Sequence, residues 1–141
     1  MKYYAVYDTN VLVSSLLSKH SDSSTAQVVD AIASGKIIPL FNQEILNEYE
    51  DVLHRPKFSF SEGRIQIVLK MIQQFGIKVD PCPTGEILPD MDDLVFYEVV
   101  MEKRNDDAYL ITGNLKHFPI REYIVTPAEM MSILNSNEAN K

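Results

Sequence analysis

Apolar positions along this chain follow two rhythms that take turns. Five short runs, "KYYAVY", "KIIPL", "IKVD", "AYLIT" and "YIV", are dense in β-branched and aromatic residues, as strands buried on both faces are. Between them the spacing changes to that of amphipathic helices. This holds in "NVLVSSLLSK", "STAQVVDAIASG", "NQEILNEYEDVLHRP", "SEGRIQIVLKMIQQFG", "DMDDLVFYEVVMEKR" and "TPAEMMSIL". The punctuation agrees. A Ser/Thr cap precedes the second helix and Gly35 follows it, Asn42 caps the third and Pro56 stops it, and Gly76 ends the fourth. Thr126-Pro127-Ala128-Glu129 has the start of a capping box with proline at the first helical position. "HSDSS" is a polar turn and "PCPTGEILP" a loop. The tail "NSNEANK" is expected to fray, so residues 1–134 form one domain and 135–141 a loose end.

Strands that alternate with helices imply an α/β fold: a central parallel sheet of about four to five strands with helices on both faces. Such sheets bind ligands beyond the carboxyl ends of their strands. Composition narrows the picture. The 141 residues suffice for one packed domain, and 45% hydrophobic and 23% charged residues are ordinary for a soluble one. "LVFY" is far too short to span a bilayer. "MKYYAVYD" meets an acid too early for a secretory leader, and the lone Cys82 permits no internal disulfide, so a cytoplasmic protein with no membrane association is expected. His20, His54 and His117 show no zinc spacing. A net charge of −7 does not point to a nucleic-acid partner. It is compatible with carboxylates gathered around a metal.

The chemistry is therefore sought at strand ends. Asp8 ends the first strand, where it either caps the next helix or belongs to a site, with Thr9 and Asn10 directly behind it. In the third helix Glu48 and Glu50 border the apolar face on opposite edges, and helical geometry alone leaves the choice between them open. Asp90, Asp92 and Asp93 open the fifth helix. The macrodipole favours acids there, but three exceed what one cap needs, and their repulsion calls for a cation. Glu98 and Glu102 share a face and read as an exposed stripe. Thr112, Gly113 and Asn114 leave a later strand, followed by Lys116 and His117, which either meet a phosphate or are solvated. Acids on several strand ends, with no histidine or cysteine pattern, suit Mg²⁺ or Mn²⁺. A haloacid-dehalogenase-like phosphatase wants an acid where Asn10 stands, and a receiver domain wants an acceptor Asp after a later strand.

"DTNVLVSSLL", "EILNEYEDVLHRPKF", "DMDDLVFYEVV" and "YLITGNLKHFP", in this order, resemble PIN-domain proteins, and most closely the bacterial toxin components of toxin–antitoxin systems of the VapC-like kind. The resemblance runs from Tyr3 to about Leu134. It implies a three-layer α/β/α fold and a metal-dependent endoribonuclease whose acids are Asp8, Glu48 and Asp93, with Asp92 as neighbouring candidate. These would hold Mg²⁺ or Mn²⁺, and cleavage would leave a 5′-phosphate and a 3′-hydroxyl. Where the family carries its fourth acid this chain has Asn114, which can still coordinate through its carbonyl. That departure also admits a weak or inactive module that binds RNA or a partner. Thr9, Asn10 and Thr112 are the expected polar neighbours of the site. Arg55, Lys57, Lys116 and His117 are the candidates for the RNA backbone. The resemblance further implies a cognate antitoxin protein and a homodimer.

Overall fold

The computed structural model describes residues 2–139, with side chains through Ser136. Strands β1 (Tyr3–Tyr7), β2 (Ile37–Phe41), β3 (Ile77–Lys78), β4 (Tyr109–Ile111) and β5 (Ile124–Val125) form one sheet in the order β3-β2-β1-β4-β5. Every pairing is parallel. Helices α1 (Thr9–Leu17), α2 (Ser24–Ala33), α3 (Gln43–Leu53), α4 (Glu62–Phe75), α5 (Leu94–Glu102) and α6 (Pro127–Ala139) flank it in a three-layer α/β/α arrangement. No helix among the described residues is long and apolar enough to cross a membrane.

The apolar rhythm sets what is buried. Ala5, Val6 and Tyr7 of β1 and Leu110 and Ile111 of β4 are inaccessible to water because helices cover both faces of these central strands. The stripe Ile45, Tyr49 and Leu53 turns α3 inward, and Ile65, Val68, Leu69 and Ile72 do so for α4. Each such side chain stabilises the fold by about 1.5–3 kcal/mol. The expected caps form. Ser23 accepts from the Ala26 N–H at 3.2 Å and Asn42 from the Ile45 N–H at 2.9 Å. The capping box closes reciprocally, with Thr126 N–H donating to Glu129 Oε1 at 3.0 Å and Glu129 N–H to Thr126 Oγ1 at 3.2 Å.

Three local expectations change. "DMDD" is not the first turn of α5: Met91–Asp93 is a separate 3₁₀ turn, because the Asp90 carboxylate accepts the Asp92 N–H at 3.0 Å and holds the chain in a tight bend. Residues 135–139, expected to fray, continue α6, while 140–141 lie outside the described residues. Glu98 and Glu102 are not a free stripe. Glu98 Oε2 accepts the Thr84 N–H at 2.6 Å and its hydroxyl at 3.0 Å, and Glu102 Oε2 accepts the Cys82 N–H at 3.3 Å. They fasten the loop between β3 and α5 to the helix. At the sheet edge, Gly76 lets β3 approach. A Cβ there would sit 2.4 Å from the Ile72 carbonyl oxygen and 2.5 Å from that of Pro39, both backbone atoms that cannot yield.

The strand order positions the site. The chain runs outward from β1 through β2 to β3, then crosses to β4 on the other side of β1. The direction reverses between β1 and β4, and a crevice opens beyond their carboxyl ends. Asp8 leaves one of these strands and Thr112 the other.

Candidate active site

Asp8 is buried and carries out no capping duty. Its backbone sits at the N-cap of α1, but its side chain makes no cap hydrogen bond. Instead Asp8 Oδ2 accepts from Thr112 Oγ1 at 2.7 Å and from Asn10 Nδ2 at 3.2 Å. The Asp8 N–H donates to the Ile111 carbonyl at 2.9 Å, which extends the β1–β4 ladder into the crevice. Asn10 also bridges the two strand ends, since its Oδ1 accepts the Gly113 N–H at 3.0 Å.

The tie on α3 is resolved by burial. Glu50 is exposed, whereas Glu48 is half-buried and its Oε2 accepts the Thr9 hydroxyl. The neighbouring Tyr49 fixes this edge of the helix, because its buried hydroxyl donates to the Tyr7 carbonyl at 2.5 Å. The three acids of the 3₁₀ turn divide their roles. Asp90 makes the bend, Asp92 is exposed, and Asp93 turns inward with its side chain 15% exposed. Asp93 Oδ2 is buried and lies 3.2 Å from His117 Nδ1, off the line of a hydrogen bond, so it has no hydrogen-bond partner.

Burial raises all three carboxyls. Burial pushes Asp93 up from its ordinary 3.8 to about 6, reinforced by the charges of Asp8 and Asp90 and partly opposed by His117. Burial raises Asp8 as well, against the lowering effect of its hydrogen bonds. Glu48 is raised by burial. The Thr9 hydrogen bond opposes this, and the charges of Asp8 and Asp92 add to it. For Asp8 burial is the sole raising influence, while at Glu48 and Asp93 neighbouring carboxylates add to it.

Asn114 is half-buried and committed to its own loop. Its N–H donates to Thr112 Oγ1 at 3.0 Å, and its side-chain nitrogen lies 3.0 Å from His117 Nε2. His117 therefore points into the cleft rather than out to a rim. Lys116 is exposed on the same 3₁₀ turn, Leu115–His117. Arg55 is exposed beyond the end of α3, pairs with Asp51 at 3.5 Å, and lies within electrostatic reach of Glu48. Lys57 sits over the Phe58 ring at 5.1 Å. Beside the acids, a groove of about 370 Å³ opens between α3 and α5, with Glu44, Glu48, Asp92 and Glu98 on its walls.

Among the described residues, no three His, Cys, Asp or Glu side chains converge closely enough to hold one ion as they stand. The donor chemistry nonetheless fits a hard cation: oxygen ligands, uncompensated negative charge, and an orphaned buried acceptor on Asp93. Two contacts could not be read from spacing. The position of Tyr49 beside Glu48 was visible, but its bond to β1 was not. His117 was visible only as a cation near a strand end.

The acidic crevice lies at the switch point of a parallel α/β sheet of order β3-β2-β1-β4-β5. The PIN domain family profile matches residues 4–116, and the chain belongs to that family, whose domain is a nuclease fold. A crystal structure of PAE2754 from Pyrobaculum aerophilum shares the fold, with a TM-score of 0.57 and 13% identity over 96% of this chain and 90% of that one. No curated protein sequence matches the chain.

Proposed function

We propose that this protein is a metal-dependent endoribonuclease that uses Mg²⁺ or Mn²⁺, with Asp8, Glu48 and Asp93 as the acids that hold the ion. The observation that carries this reading is that Asp8, Glu48 and Asp93 are drawn into one crevice at the strand ends, where burial raises all three carboxylates and the charge of Asp8 adds to the rise of the other two, on a nuclease fold. Repulsion left uncompensated by protein cations is what a bound divalent ion would relieve.

When bound, such an ion supplies Lewis-acid polarisation of phosphoryl oxygens and lowers the pKa of a coordinated water. The chain supplies the rest. Thr112 and Asn10 orient the Asp8 carboxylate, and Thr9 orients Glu48. The Asp93 oxygen that lacks a hydrogen bond is free to accept a cation. No serine or cysteine nucleophile is needed. Arg55 and Lys57, exposed beyond the end of α3, and Lys116, exposed on the 3₁₀ turn after β4, are the contacts for the RNA backbone. The resemblance extends the proposal to the toxin half of a toxin–antitoxin pair, covered by a small antitoxin protein, acting as a homodimer in the cytoplasm.

The test is cleavage of structured and single-stranded RNAs with Mn²⁺, Mg²⁺ or EDTA, beside Asp8→Asn. Cutting that needs the metal and that the variant loses supports the reading. A folded wild type that cuts nothing under any condition rejects it.

A further inference from the structure

Between α3 and α4 the chain reads "RPKFSFS", and its fold brings two aromatic rings and two cations together. Phe58 and Phe60 stack, with ring centroids 5.4 Å apart and planes 10° from parallel. Lys57 Nζ lies 5.1 Å from the centroid of Phe58, and the Arg64 guanidinium carbon 5.9 Å from that of Phe60. We infer that Phe58, backed by Phe60, is a platform on which an unpaired base of single-stranded RNA stacks, with Lys57 and Arg64 beside it for the flanking phosphates. RNA as the ligand rests on the ribonuclease reading above.

Four features support it. The first is a surplus ring. Phe60 packs against the hydrophobic core and anchors the loop, whereas Phe58 lies outside that core and is half-buried. Covering the core does not account for it. The second is preorganisation. Ser59, between the rings, is held at φ 54°, a left-handed conformation that residues with a side chain rarely adopt. The Phe58 N–H donates to the Arg55 carbonyl and the Ser59 N–H to that of Pro56, both at 3.1 Å. At the base of the loop His54 Nε2 lies 2.6 Å from Glu62 Oε2, which joins the end of α3 to the start of α4. A platform fixed in advance loses less freedom on binding. The third is charge. Asp51 is paired with Arg55, and Glu62 with His54. Among the described residues Lys57 and Arg64 pair with no carboxylate, which leaves their charge for phosphate. Aromatic rings interleaved with cations hold single strands in this way, by base stacking and phosphate neutralisation together. The fourth is position. The loop begins at Arg55, which is within electrostatic reach of Glu48. Seven residues of helix separate the two by about 10 Å, the length of a few stacked nucleotides at about 3.4 Å each.

The experiment measures binding to the full chain by fluorescence anisotropy, in EDTA so that no strand is cut. Three labelled probes of one length are used: a single-stranded RNA, the same RNA as a duplex, and an abasic strand that keeps the sugars and phosphates alone. Wild type is expected to bind the single strand more tightly than the other two. Phe58→Ala should weaken that binding by about 5- to 150-fold, the range of one base–aromatic stack, and leave the abasic strand unchanged. Phe58→Tyr keeps the ring and should stay within about threefold of wild type. Lys57→Ala should weaken the single and abasic strands alike and lower the slope of log affinity against log salt by about 0.7. Circular dichroism confirms that each variant folds. The inference is overturned by a Phe58→Ala protein that binds the single strand as tightly as wild type, by an equal loss on the abasic strand, or by a wild type that binds no single strand. Metal-dependent cleavage scores the nuclease reading separately. A protein that shows the Phe58 dependence but never cuts keeps the platform and loses the nuclease, and one that cuts without that dependence does the reverse.

Discussion

The Tyr49 hydroxyl donates to the Tyr7 carbonyl at 2.5 Å, which ties the residue after Glu48 on α3 to the residue before Asp8 at the end of β1. This bond sets the distance between Glu48 and Asp8, because each acid is the chain neighbour of one partner. Removing it should be felt twice. Tyr49→Phe leaves a buried carbonyl unpaired, which costs about 1–2 kcal/mol in urea unfolding. The same variant should also bind Mn²⁺ more weakly, as Glu48 loses its fixed place. A stability loss with unchanged Mn²⁺ affinity would show that the bond serves only the core.

Thr112 joins the two strand ends. Its hydroxyl is fully buried, donates to Asp8 and accepts from the Asn114 N–H. Thr112→Val has nearly the same shape but strands both partners, so it should cost about 1–3 kcal/mol. Thr112→Ser keeps the hydroxyl and should recover most of that loss. Denaturant midpoints of the two variants compare them directly.

The elevated Asp93 gives the metal-free protein a characteristic pH dependence. A carboxyl whose folded pKa is raised binds its proton more tightly when folded. Its contribution is therefore complete below about pH 4 and is lost as pH rises through the folded value of about 6. Asp8 and Glu48 are shifted in the same direction and add to the slope. In EDTA, the melting temperature should fall between pH 5 and pH 7. Asp93→Asn should flatten that fall and melt higher than wild type at pH 7, while losing RNA cleavage. An unchanged slope in the variant would remove Asp93 as its source.

Glu48 and Glu50 offer an internal control on one helix. Glu48→Gln should lower metal-dependent cleavage by more than the about 10–100-fold typical of an orienting partner. Glu50→Gln changes an exposed side chain and should leave the rate within about twofold. Equal losses in both would place the site elsewhere.

The fold was legible because it depends on periodicity that any window of the sequence displays. The apolar runs placed all five strands, and cap residues such as Ser23, Asn42 and Thr126 placed the helix starts within a residue or two. Less was legible where one carboxylate competes between roles. Asp90 could not be recognised as the residue that bends the chain into a 3₁₀ turn, nor Glu98 and Glu102 as anchors for a loop twelve or more residues earlier. The angular position of Glu48 and Glu50 on α3 was equivalent until β1 and Thr9 lay on one side of it. His117 escaped for the same reason: its partners Asp93 and Asn114 come from different loops, and only the folded sheet brings Asp93 to it.

The bond between Thr112 and Asp8 closes a loop of 104 residues. Contacts so far apart in the chain form late, after the entropy of closing that loop has been met by other packing. On a ribosome, a chain made as far as α5 would already contain Asp8, Glu48 and Asp93, yet β4 would not exist to hold Asp8 in place. The bonded arrangement of Asp8 is thus completed only when the last quarter or so of the polypeptide, from β4 onward, has docked.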